Sequence, residues 1–248
     1  MLEELATQAF WVGLAKIIGV NVILSGDNAV VIALAARSLP ARQQKQAVFW
    51  GAGAAVVLRV ILTIFAAALL TLPWLKIIGS LLLFWIGVKL LIPEEGDDEI
   101  QASDQLLAAI KTILVADLVM SLDNVIAVAA AAGGSYVLLI LGLAISIPLV
   151  IFGATLLIKL MDRFPVIITA GAGLIGWVAG EMLVADGALK GWLTGLGVQY
   201  RGEVPYVGGW SLEIIAAVIG FIVVVALGTW FGKRKAAAAG QAPADAAK

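Results

Sequence analysis

Three aspartates, Asp27, Asp117 and Asp123, stand inside long apolar runs of the chain, and Glu181 lies nearer the end of another. An ionised carboxylate at the centre of a membrane helix is unfavourable by about 2.5 to 3.5 kcal/mol, so the group implies an uncompensated cost on the order of 10 kcal/mol. Arg59 is the main cation the chain itself can offer. That leaves roughly three negative charges to be met by bound cations, by protons or by water. A divalent cation fits the deficit.

The spacing repeats. Asn21-Val-Ile-Leu-Ser25-Gly26-Asp27-Asn28 matches Asp117-Leu-Val-Met-Ser121-Leu122-Asp123-Asn124 at an offset of 96 residues without a gap. On a helix Asn21, Ser25 and Asn28 fall at i, i+4 and i+7 on one face, as do Asp117, Ser121 and Asn124, while Asp27 and Asp123 point roughly 100° away. Gly26 offers a break that lets Asp27 swing inward, and interrupted helices also free carbonyl oxygens. Leu122 offers no such break in the second copy. The candidate metal ligands are therefore Asp27, Asp123, Asn28, Asn124, Asp117, Ser25, Ser121 and Asn21, with Glu181, Asp117 and Arg59 as proton carriers or charge partners. Carboxylate, amide and hydroxyl oxygens suit Mg²⁺, Mn²⁺ and Ca²⁺, and a chain with neither Cys nor His disfavours Zn²⁺ and Cu⁺. Met120 beside Ser121 would favour a slightly softer ion. The plainer reading of these residues is a polar clamp between helices, at about 1 kcal/mol per contact.

The elements that must position them are membrane helices. With 62% hydrophobic and 13% charged residues over 248 positions, the chain lies outside the range of soluble domains. A net charge of -1 gives no general attraction for nucleic acid. Apolar runs bounded by charge, Pro or Gly predict an all-α polytopic protein with about seven spans, at 10–36, 47–70, 74–92, 106–132, 136–160, 165–184 and 211–231. Spans one to three resemble spans four to six, since Leu83-Phe-Trp85 through Lys89 also echoes Ile175-Gly-Trp177 through Glu181. Units of three helices must be mutually inverted, so the expected organisation is two inverted three-helix repeats, 1–92 and 106–184, plus a seventh helix at 211–231. An acidic cytoplasmic linker (93–105), an extracytoplasmic Gly- and aromatic-rich loop (185–210) and a basic, Ala-rich cytoplasmic tail (232–248) complete it. Gly176 to Gly180 reads as a close helix contact. Arg37, Arg42, Lys45, Lys89, Lys111, Lys159, Arg163, Lys233, Arg234, Lys235 and Lys248 collect on one side, against Lys76, Lys190 and Arg201 on the other. The positive-inside rule then places the N-terminus outside and the C-terminus in the cytoplasm of a cell's inner membrane.

Ser-Gly-Asp-Asn in the first span, Ser-Leu-Asp-Asn in the fourth and the duplicated unit resemble the TerC integral membrane family, within the lysine-exporter-like superfamily, over roughly residues 8–231. The resemblance implies export of manganese, with Asp27, Asp117, Asp123 and Glu181 as the intramembrane acids. The expected function is secondary transport of a divalent cation, Mn²⁺ foremost, by proton antiport, since no phosphate-binding Gly-x-x-x-x-Gly-Lys loop occurs. No catalytic residue and no prosthetic group are expected. The partners expected are the metal ion and the lipid bilayer, with a second copy of the chain and the secretion machinery as further candidates. Three alternatives differ in kind. An accessory protein could deliver metal to secreted proteins, or the chain could export an organic cation or amino acid. An intramembrane aspartyl protease also needs two aspartates, but in Tyr-Asp and Gly-x-Gly-Asp contexts that this chain lacks.

Overall fold

The computed structural model describes residues 8–65, 72–92, 102–132 and 135–239. Within them run α1 (Gln8–Leu24), α2 (Gly26–Ala36), α3 (Ala41–Ile64), α4 (Leu75–Leu91), α5 (Ala102–Ala132), α6 (Tyr136–Arg163), α7 (Val166–Val184), α8 (Lys190–Gly195) and α9 (Leu212–Ala239). The expected first span is therefore two helices, bent by 49° across Ser25. Gly26, which lacks a Cβ, opens the second of them. The matching motif lies in α5, which runs unbroken through Leu122. Helix starts follow local chemistry elsewhere: Pro40 and Pro165 precede α3 and α7, and the Ser135 hydroxyl accepts from the Leu138 N–H at the start of α6.

By length and composition five helices can cross a membrane: Ala41–Ile64, Ser103–Leu122, Val137–Arg163, Val166–Val184 and Leu212–Lys235. The bent pair α1–α2 makes a sixth. The seven expected spans are thus five or six among the described residues. The remaining one, α4, has 17 residues, about 25 Å of helix against a hydrocarbon core of about 30 Å. Two boundaries also move outward. Helix α5 starts inside the expected acidic linker, and α9 continues to Ala239 through Lys233, Arg234 and Lys235, all good helix formers.

The broken helix sits in the middle of the bundle. Helices α1 and α2 pack on α6, and α2 also meets α5 and α7; α3 packs on α5 and α6; α4 packs on α7, α5 and α9. Val31, Ile32 and Leu34 of α2, Ile113 and Val119 of α5, and Ile175 and Met182 of α7 share one buried core. Outward, Trp50, Val57, Trp85, Phe152 and Ile219 are exposed, a surface matched to lipid rather than water.

Helix α9 lies closest to α7. A Cβ added at Gly176 would strike the Gly220 carbonyl, and one at Gly180 would strike the carbonyl of Ala216, so the expected Gly176–Gly180 contact is met by Ala216 and Gly220 at the same four-residue spacing. Backbone on both sides leaves no flexible group to yield. Gly180→Leu is expected to destabilise the protein by about 2–3 kcal/mol, seen as a lower melting temperature of the detergent-solubilised protein.

The stretch expected as a loop over 185–210 is more ordered than that. It holds a 3₁₀ turn (Gly187–Leu189), α8 and a three-stranded antiparallel sheet of β1 (Gln199–Arg201), β2 (Val204–Val207) and β3 (Trp210–Ser211). Tyr200 opposes Pro205 and Val207 opposes Trp210. Gly202 turns the first hairpin with φ 68°, and Gly208 and Gly209 turn the second with φ 58° and 88°; these are left-handed conformations that tight two-residue hairpins require.

Candidate functional site

Arg59, on α3, is 3% exposed, although a guanidinium in the middle of a membrane helix needs every donor met. Four side chains take four of its five N–H groups. Its Nε donates to Ser121 Oγ at 3.0 Å, Nη1 to Asn21 Oδ1 at 2.6 Å and to Ser25 Oγ at 3.1 Å, and Nη2 to Asp117 Oδ1 at 2.5 Å. The acceptors are linked in turn: Ser25 Oγ donates to Asn21 Oδ1 at 3.4 Å and Ser121 Oγ to Asp117 Oδ2 at 3.2 Å. Asn21 on α1 and Ser25 in the break after it are four residues apart, and Asp117 and Ser121 are i, i+4 on α5, so each copy of the duplicated motif presents one pair of oxygens to the same planar group.

Asp27 stands at the rim of this cluster. It occupies the first turn of α2, where the helix dipole favours an anion, and its Oδ1 accepts the backbone N–H of Asn28 at 2.8 Å. It is half-buried, within Coulombic reach of Arg59 and Asp117. Arg59 and Asp117 cancel, which leaves the charge of Asp27 over. Asn28 is 3% exposed, and neither its Oδ1 nor its Nδ2 has a hydrogen-bond partner within the protein; Nδ2 of Asn21 has none either. Asn21, Ser25, Asn28, Arg59 and Asp117 line a cavity of about 20 Å³, closed by Ala52, Ala55 and Val56 of α3 and by Ile147 and Val150 of α6. That is room for one water-sized particle.

Of the residues singled out from the sequence, Asn21, Ser25, Asp117 and Ser121 meet around Arg59, and Asn28 lines the same cavity. Asn124 is half-buried on α5. Asp123 belongs to the same helix, and its side chain lies outside the described residues. Glu181 is elsewhere: its Oε1 accepts from Trp177 Nε1 at 2.8 Å, so Arg59 has Asp117, not Glu181, as its ion-pair partner. Among the described residues no three acidic side chains converge. Among the described residues the carboxylates near this site are Asp117 and Asp27, and its other oxygens are neutral.

Asp186 escaped the sequence reading. It is 4% exposed, and its carboxylate accepts N–H groups of Trp74, Lys76 and Ile77 at 3.1–3.3 Å and of Ala188 at 2.8 Å. It thereby satisfies the donors left over at the start of α4 and ties that helix to the segment after α7. Trp74 turns into α4 with φ 68°. A cap supplied from more than a hundred positions away leaves no local signature.

Residues 6–236 match the family described as "Integral membrane protein TerC family". The chain is 44% identical over 181 residues to the uncharacterized membrane protein YjbE of Bacillus subtilis, covering 73% of this chain and 83% of that protein. It is 30% identical to YkoY of the same organism over 68% of this chain and 58% of the relative, and 28% identical to YceF over 73% and 74%. Both are likewise described as uncharacterized membrane proteins. No solved structure matches the chain.

Proposed function

The chain belongs to the TerC family of integral membrane proteins, and from that premise we propose that it is a secondary transporter that exports a divalent metal cation, Mn²⁺ foremost, in exchange for protons. One observation carries the reading. Two copies of one motif, 96 residues apart, deliver their oxygens to a single buried cluster with Asp27 at its edge. A structural clamp needs no leftover carboxylate and no unpaired amide oxygen such as Oδ1 of Asn28; a cation site uses both. The packing supports an inverted pair of repeats: α1–α2 against α6 mirrors α3 against α5, α2 against α7 mirrors α4 against α5, and α3–α6 and α4–α7 are the pairs such an axis maps onto themselves. Rocking one unit against the other parts the oxygens of α1 from those of α5 and exposes the cluster to alternate sides. We place the protein in the inner membrane with the C-terminus in the cytoplasm, as the Lys and Arg distribution favours.

One observation favours a second reading, export of an organic cation: the group these oxygens hold is itself a guanidinium. Against it stands the cavity of about 20 Å³, far below the size of an amino acid. Proteoliposomes holding the purified protein separate the two. A pH gradient is expected to drive uptake of radioactive manganese, with Mg²⁺, Ca²⁺, Fe²⁺ and Zn²⁺ as competitors of graded strength and with lysine and arginine inert. Uptake of lysine or arginine with no metal movement would overturn the metal reading.

A further inference from the structure

We propose that Arg59 is a tethered stand-in for the transported cation: its guanidinium binds the oxygens that the two halves present to the substrate, and the ion enters only by displacing it. The inference rests on the reading of this cluster as the transport site, and it adds the device that keeps the site shut between cycles.

The geometry argues for competition rather than co-operation. The two serine hydroxyls, the Asn21 carbonyl oxygen and Asp117 all face Arg59 nitrogens at 2.5–3.1 Å, so a metal at coordination distance from the same oxygens would stand against the guanidinium. Like charges at such separations repel strongly in a medium of low dielectric constant. The two cations cannot share the ligands. Arg59 spreads its donors over both copies of the motif, one pair of acceptors from each, so it holds together the oxygens that an opening of the site has to part. The cavity beside it, with the partnerless Oδ1 of Asn28 on its wall, provides the foothold an incoming ion takes before the guanidinium lets go. With the ion gone, Arg59 returns and the carboxylate of Asp117 is never left bare in the membrane. The exchanger carries its own counter-ion.

The deciding variant is Arg59→Lys, because it keeps the charge and loses the fork. An ammonium cannot reach two oxygens on each of two helices at once. If docking of the guanidinium limits access, the measured affinity is the intrinsic one reduced by the fraction of time the site is free. Calorimetric titration of the purified protein in lipid nanodiscs with Mn²⁺ is then expected to show about tenfold tighter binding by Arg59→Lys than by the wild type. Binding equal to or weaker than wild type overturns the inference and leaves the metal reading standing. Absence of binding by wild type and variant alike overturns the metal reading, and the inference with it. A measurement on the unaltered protein covers the case of a variant that does not fold. Phenylglyoxal modification, mapped peptide by peptide, is expected to spare Arg59 without metal and to reach it once saturating Mn²⁺ is added. Metal binding that leaves Arg59 as protected as before overturns the proposal.

Discussion

Asp27→Asn is expected to stop manganese transport by a folded protein. The substitution removes the one charge of the described cluster that the protein does not neutralise, and it keeps the shape of the side chain. Even residues that only support a metal ligand cost 10–100-fold when altered, so the initial rate into proteoliposomes should fall by a factor on the order of 100. Stability should hardly change, since the Asn side-chain oxygen can still accept the N–H of Asn28 and the lost interaction with the helix dipole amounts to about 0.3–1 kcal/mol. Cells expressing the variant should retain manganese that wild-type cells release. Unchanged efflux and unchanged metal content would remove the basis for the proposed function.

A second large effect is expected on stability. Arg59 and Asp117 are 4% and 7% exposed in their side chains, and deleting one partner of a buried pair strands the other at a cost of about 3–5 kcal/mol. Asp117→Asn should therefore lower the melting temperature sharply, with Arg59 left charged among neutral oxygens. Replacing both, as Arg59→Met with Asp117→Asn, removes the stranded charge and should recover most of the loss. Thermal denaturation of the four proteins forms a double-mutant cycle, and the pair is expected to be non-additive by well over 1 kcal/mol. Additive losses would mean that the two residues are not energetically joined.

Much of this site was legible in the sequence because its information is local and repeated. The i, i+4 spacing of Asn21 with Ser25 and of Asp117 with Ser121 specifies a helix face, and the 96-residue offset says that two such faces belong together. Gly26 marked the break between α1 and α2, and Leu122 the continuity of α5. What the chain could not announce was which acid the buried cation pairs with. Arg59 lies in the second span with no motif around it, and both Asp117 and Glu181 were eligible partners; only the packing of α3 on α5 decides between them. Asp186 was hidden for the same reason, its partners lying across the bundle at the start of α4. The sheet over 199–211 did leave a trace: Arg201-Gly202-Glu203-Val204 and Val207-Gly208-Gly209-Trp210 carry the glycines of two-residue hairpins between β-forming residues. That trace is overlooked when glycine and aromatics are read as a loop.

The four N–H groups gathered by Asp186 have a mechanical consequence. Those of Trp74, Lys76 and Ile77 fasten the head of α4, from the first half of the chain, to the segment after α7, from the second, and a little further along Ser80 Oγ donates to the carbonyl of Ala179 at 2.7 Å. Two bodies riveted at one end can part only at the other. The opening proposed to free Arg59 is expected to behave like a pair of tongs whose pin lies beside Asp186, with the greatest travel at the far ends of α4 and α7, where Lys89 and Pro165 lie.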